Sequence, residues 1–140
     1  MEKYKILPHT ADGKFQAFGR TLEEAFANAA LATASLMWDW SKIKRATSFK
    51  VGVQGRDIEQ LLVKFLGEII YLLETRSFLL GAVEEVKLQA GIDESRLEAT
   101  FWGDRMSERY VVYGNVKAVT YNEMKIERHD RITLQVVVDM

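Results

Sequence analysis

Asp57-Ile58-Glu59-Gln60-Leu61-Leu62-Val63-Lys64-Phe65-Leu66-Gly67-Glu68-Ile69-Ile70-Tyr71-Leu72-Leu73 is the stretch on which the fold turns. Leu61, Leu62, Phe65, Leu66, Ile69, Ile70 and Leu73 recur at three- and four-residue steps, the period of an α-helix with one apolar face. Asp57 is a helix-capping residue, and Gln60, three positions on, can bond back to its amide. The pattern predicts a helix ending near Glu74 or Arg76, and its apolar density marks it as the most buried element.

Working toward the N-terminus, Phe49, Val51 and Val53 alternate as in a half-buried strand that stops at Gly55. Before them, Thr21 with Glu24 repeats the capping signal. Leu22, Phe26, Ala29, Ala30, Thr33 and Met37 then form a second apolar stripe, predicting a helix over about 21–38, roughly 27 Å long. Lys3 to Leu7 and Phe15 to Phe18 read as strands around a turn at His9-Thr10-Ala11-Asp12-Gly13, since Pro8 bars helix before it.

Toward the C-terminus, the segments 78–90, 95–102, 116–119, 124–127 and 132–138 read as strands separated by Gly, Asp and Asn. The sum is an α+β chain, two helices on mostly antiparallel sheet. Strand–helix–strand stretches around each helix hint at a duplicated unit, although the residues show no convincing self-similarity. With 140 residues, 48% hydrophobic, and no Pro- or Gly-rich linker, residues 1–140 are read as one domain.

Composition narrows the chemistry. A net charge of −1 argues against a broadly basic, phosphate-wrapping surface, so tight direct RNA binding is disfavoured. With 0 cysteines there are no disulfides, thiolate metal sites or cysteine nucleophiles, which suits a reducing compartment. No signal peptide or spanning segment is evident, and the expected location is cytoplasmic, without a membrane partner. A Gly-rich phosphate loop, a nucleophile elbow and a His-Glu-x-x-His motif are all missing, which removes most catalytic templates.

What remains is acidic. His9 and Asp12 share the first loop, and the apolar run Val136-Val137-Val138 leads directly into Asp139-Met140, adding a side-chain carboxylate and a terminal one. Carboxylates held that close repel unless a cation neutralises them, and hard oxygen donors select Ca²⁺ or Mg²⁺ over zinc. If strand order sets Asp12 beside Asp139, a metal site results. Ordinary turn chemistry explains Asp12, and a solvated strand end explains Asp139, equally well on spacing alone. Lys117 stands in a strand-like run where it meets a partner's acid or simply solvent. Trp38, Trp40 and Trp102 lack interleaved basic residues, which favours packing over base stacking.

These residues resemble the archease family: the loop His9-Thr10-Ala11-Asp12, the helix entry Gly19-Arg20-Thr21-Leu22-Glu23-Glu24-Ala25-Phe26, Asp57-Ile58-Glu59-Gln60-Leu61-Leu62, the late strand Val116-Lys117-Ala118-Val119-Thr120-Tyr121 and the ending Val136-Val137-Val138-Asp139-Met140. Two departures stand out, Gly13 in place of an aliphatic residue and Asn122 where a histidine often follows the tyrosine. The resemblance implies a fold of strand–helix–strand–strand repeats and a non-catalytic, metal-binding accessory protein of an RtcB-type RNA ligase in tRNA splicing and RNA repair. Its expected effects are to promote ligase guanylylation, allow multiple turnover and broaden nucleotide use, with RNA and GTP reached only through the ligase. It implies metal binding at Asp12, Asp139 and Met140, Ca²⁺ ahead of Mg²⁺, with His9 and Lys117 flanking the partner contact. The alternatives are a stand-alone metal-dependent phosphohydrolase and a chaperone-like module.

Overall fold

The computed structural model describes residues 1–8 and 12–140. Among them the chain forms β1 (Tyr4–Leu7), β2 (Gly13–Gly19), α1 (Leu22–Ser35), a 3₁₀ turn (Trp40–Lys42), β3 (Thr47–Gly55), α2 (Ile58–Arg76), β4 (Phe78–Ala90), β5 (Ser95–Arg105), β6 (Ala118–Arg128) and β7 (Ile132–Asp139). The strands make two antiparallel sheets, ordered β1-β2-β7-β6 and β3-β5-β4. The fold is α+β, with two helices packed against antiparallel sheet.

Both helices start where the capping residues stand. Thr21 Oγ1 accepts the Glu24 amide at 3.1 Å, and Asp57 Oδ1 accepts the Gln60 amide at 2.8 Å. The return bonds close one residue early: Glu24 and Gln60 accept from Arg20 and Arg56, not from the caps themselves. At the other end, α2 stops on Ser77, whose left-handed φ of 53° lets its amide reach the Leu73 carbonyl. Helix α1 ends at Ser35, before Trp38. The Leu36 and Met37 amides tighten onto Thr33 and Ala34, and Trp38 leaves to bridge Val112 and to give its indole N–H to the Leu80 carbonyl.

Burial reverses one expectation. Helix α2 keeps a wet face at Lys64, Tyr71 and Glu74, whereas α1 is buried continuously from Asn28 to Ala34. Each helix meets both sheets, α1 touching β2 and β4 and α2 touching β3 and β6. The difference lies in composition, since α1 carries small or apolar residues all round from Asn28 to Ala34 while α2 carries Lys64, Tyr71 and Glu74 on one side. Phe65 joins the two halves, 5.9 Å from Phe26 and 5.4 Å from Phe101 by ring centroids.

The duplication is present, but nested. In β3-α2-β4-β5 the last strand lies between the other two, and β2-α1-β6-β7 has the same layout. The first unit is interrupted after α1 by the whole of the second. Aligned this way the residues do repeat: Gly19-Arg20-Thr21-Leu22-Glu23-Glu24 matches Gly55-Arg56-Asp57-Ile58-Glu59-Gln60, and Glu85-Val86-Lys87-Leu88-Gln89 matches Glu123-Met124-Lys125-Ile126-Glu127. Leu88 pairs with Leu97 as Ile126 pairs with Leu134, and Glu85 and Glu123 both take positive φ, 54° and 51°. That shared kink also corrects the strand reading. Segments 116–119 and 124–127 belong chiefly to one strand, β6, whose pairing slips between Thr120 and Lys125.

Candidate functional site

Strand β7 is central, between β2 and β6, and Val136, Val137 and Val138 are buried. Its pairing with β2 ends at Gly13–Val138. Asp12 immediately precedes that pair on one strand and Asp139 immediately follows it on the other, so strand order brings the two carboxylate residues to one tip. Asp139 is exposed and pairs on its other side with Ala118 of β6. The Lys117 amide donates to the Asp139 carbonyl at 2.7 Å, which sets the exposed Lys117 beside the tip. Met140 folds back and packs against the core. His9 lies outside the described residues.

Below the tip, the kink in β6 folds over the outer face of the sheet. Lys14 Nζ meets Glu123 Oε1 at 3.1 Å. The Gln16 amide nitrogen donates to Gln135, whose own amide nitrogen donates to the Glu123 carbonyl at 2.8 Å. Thr120 Oγ1 donates to the Val137 carbonyl. Under this cover Gln135 and Val137 are only 4% and 1% exposed although they point away from the helices. Asn122 sits in the kink, its amide 3.3 Å from Thr120 Oγ1. Lys14 and Glu123 were not legible as site residues: the Asn122-Glu123 pair between apolar residues reads as a turn, and nothing in the spacing ties it to Lys14.

Asp12 and Asp139 offer carboxylate oxygens and Met140 offers main-chain oxygen, the ligand type of Ca²⁺ and Mg²⁺. No group of three or more His, Cys, Asp or Glu side chains suited to a metal gathers among the described residues. Two side-chain carboxylates would need main-chain, solvent or partner oxygens to complete a shell of about six to eight around a cation, which Ca²⁺ tolerates better than the strictly octahedral Mg²⁺.

Other surfaces carry different chemistry. Asp104, near the end of β5, accepts from the Tyr110 hydroxyl at 2.6 Å and from the Arg105 amide. Those bonds, the Tyr110 one foremost, hold its carboxyl below the usual carboxylate range, with Arg109 and Lys44 adding to the effect. A cleft of about 690 Å³ lies between Tyr4, Trp40, Tyr110 and Tyr113, with Trp38 among its lining and Asp39, Lys42 and Arg109 contributing charge. Trp40 donates to the Tyr4 hydroxyl at 2.8 Å and Trp38 is fully buried, so these tryptophans pack, as their sequence setting suggests. Neither helix is long and apolar enough to cross a membrane.

Comparison with known proteins places this geometry in a family. The archease protein family matches residues 4–140. A "Protein archease" of Methanosarcina acetivorans is 38% identical over 143 aligned residues, covering 99% of this chain and 97% of its own. One from Pyrobaculum calidifontis is 39% identical, covering 98% and 95%. The solution structure of a Methanobacterium thermoautotrophicum protein superposes with a TM-score of 0.84 at 31% identity over all of both chains. A crystal structure from Thermotoga maritima, described as an archease and possible chaperone, shares the fold with a TM-score of 0.63 at 24% identity. The chain belongs to the archease family.

Proposed function

We propose that this protein is a metal-binding accessory factor that activates an RtcB-type RNA ligase, promoting its guanylylation and repeated turnover and widening the nucleotides it accepts. The observation that carries the reading is the acidic tip, where a buried central strand delivers Asp139 next to Asp12 while Lys117 is tied to the same backbone. Asp12, Asp139 and the main-chain oxygens of Met140 are the proposed metal donors, Ca²⁺ ahead of Mg²⁺. Lys117 and His9 flank the contact with the ligase. A divalent ion held there supplies positive charge that offsets phosphate charge during nucleotidyl transfer. The chain's own part is to present Asp139 at the end of a central strand, paired there with Ala118, which lessens the ordering left to complete on binding. RNA and GTP are met through the ligase, and the site of action is the cytoplasm.

The deciding experiment is multiple-turnover RNA ligation by the cognate ligase with GTP and divalent metal, with catalytic amounts of wild-type protein or its Asp12→Ala variant. Stimulation by the wild type that is lost in the variant supports both the role and the tip. Equal stimulation by both retains the role and removes the tip. No stimulation by the wild type removes the role, and turnover of phosphate esters by the protein alone then points to a metal-dependent phosphohydrolase. The cleft favours a second reading, a chaperone-like module, because it exposes Val111 and Tyr113, 76% and 61% accessible. That activity is independent of Asp12 and is read by suppression of client aggregation.

A further inference from the structure

Gly13 opens β2 beside the acidic tip, and its φ is not positive, so conformational freedom does not explain a glycine here. Space does. A Cβ at this position would lie 2.8 Å from Leu36 Cδ1, 2.9 Å from Val138 Cγ2 and 3.0 Å from Met140 Sδ, too close for ordinary carbon contacts. The other end of the same side chain is located by Gly114, where a Cβ would stand 3.4 Å from Met140 Cε and 2.1 Å from the Leu36 carbonyl oxygen. Met140 therefore runs between two glycines and beside Leu36, and its thioether, with Leu36 and Val138, occupies the room that any larger residue at 13 needs. The unbranched, polarisable side chain of methionine suits such an irregular slot.

We propose that Gly13 and Met140 are a socket and plug that position the acidic tip. Asp12 directly precedes the socket residue, and Asp139 directly precedes the plug. Seating of the Met140 side chain fixes the main chain at 139–140 against β2, and so sets the separation of the donors. Gly13 and Met140 are positioning residues, acting through the placement of Asp12 and Asp139. The metal consequence rests on the metal-binding reading above; the socket and plug themselves do not.

The test is a four-protein set: wild type, Gly13→Val, Met140→Ala, and the Gly13→Val/Met140→Ala double variant, with Gly13→Ala as the milder substitute if valine unfolds the chain. Calorimetric titration with Ca²⁺ is expected to show each single variant binding about tenfold more weakly, the scale of losing a group that orients a ligand. The double variant recovers in part toward wild type, because valine takes the room that the Met140 side chain vacates while its contacts with Leu36 and Val138 remain. In parallel, NMR follows the Met140 methyl contact with Leu36, lost in Gly13→Val, and the amide shifts of Lys117 and Asp139, displaced in each single variant and restored in part in the double. Losses that simply add in the double variant, or a Met140–Leu36 contact that survives Gly13→Val, overturn the pairing. Should the wild type take up no Ca²⁺, the metal reading fails by itself, and the methyl contact and amide shifts still decide whether the socket and plug exist.

Discussion

The nested units end their central strands differently. Strand β5 carries Asp104 near its end, and the protein settles that charge internally with the Tyr110 hydroxyl, the Arg105 amide and nearby Arg109 and Lys44. Strand β7 ends in Asp139, and its neighbour on β2 leads out of Asp12, a second acid. An aspartate held by a tyrosine hydroxyl and a backbone amide is part of a scaffold; two acids brought to one strand end are the arrangement on which the metal-binding reading proposed above rests. The sharpest way to break this contrast is to remove each aspartate in turn. On the metal-binding reading proposed above, Asp139→Ala is expected to weaken Ca²⁺ binding by at least about 100-fold, more than loss of an orienting group, while Asp104→Ala leaves it unchanged. Calorimetric titration of both variants checks this, and equal losses would mean that the tips are not distinct.

A second contrast lies at the helix entries. Gly19 and Gly55 hold matching places before the two caps, but the backbone approaches them unequally. A Cβ on Gly19 would lie 2.4 Å from the Ala25 nitrogen, whereas one on Gly55 would lie 2.9 Å from the Leu61 nitrogen. Backbone cannot step aside as a side chain can. Gly19→Ala is therefore expected to destabilise by about 2–3 kcal/mol and Gly55→Ala by about 1 kcal/mol, measured by urea unfolding. Equal costs would show that the first unit relaxes as readily as the second, despite its α1 being buried on both sides.

Much of this is legible in the residues, for identifiable reasons. The caps Thr21 and Asp57 act locally, so a short window reveals them. Asp12 and Asp139 stand at opposite ends of the chain, and only the pairing of β2 with β7 joins them; the residues can be read off the chain, but their proximity comes from the sheet. The repeat is hidden because its first copy is split, with Glu123-Met124-Lys125-Ile126-Glu127 separated from α1 by the entire second copy. A search for adjacent repeats cannot align pieces in that order. Apolar density overstates the burial of α2 relative to α1 because it counts large apolar side chains on one face, while the small residues of α1 are buried all round only through tertiary packing. Lys14–Glu123 depends on a kink in β6 that spacing alone reads as a turn.

The settled tip also has a titration signature. Because the Asp104 pKa is lowered in the folded protein, its stabilising contribution is present above the ordinary value of 3.8 and is lost as pH falls through the folded value. The Tyr110 hydroxyl is the largest cause. Tyr110→Phe should therefore move the Asp104 midpoint upward in an NMR titration of side-chain carboxyls and lessen the stability lost on acidification below the ordinary value. An unmoved midpoint would transfer the stabilisation to Arg105 and the neighbouring cations.

The smallest expected effect concerns the outer faces of the two sheets, where the units diverge most in side-chain size. Lys14, Gln16, Glu123 and Gln135 interlock over the first sheet. The matching places in the second are Lys50, Gly52, Glu85 and Glu98, and they line an open cavity of about 240 Å³. Gly52 pairs with Glu98 as Gln16 pairs with Gln135, so one missing side chain accounts for much of the opening. A Cβ on Gly52 would meet nothing within 4 Å, and its φ is not positive, so neither space nor backbone requires glycine. Gly52→Gln is expected to raise stability by about 0.5–1 kcal/mol, through the entropy that glycine loses in a strand and a new amide–carboxylate contact with Glu98. Thermal and urea unfolding read the gain. A loss instead would show that the cavity must stay open, and would move attention from the acidic tip to the second sheet.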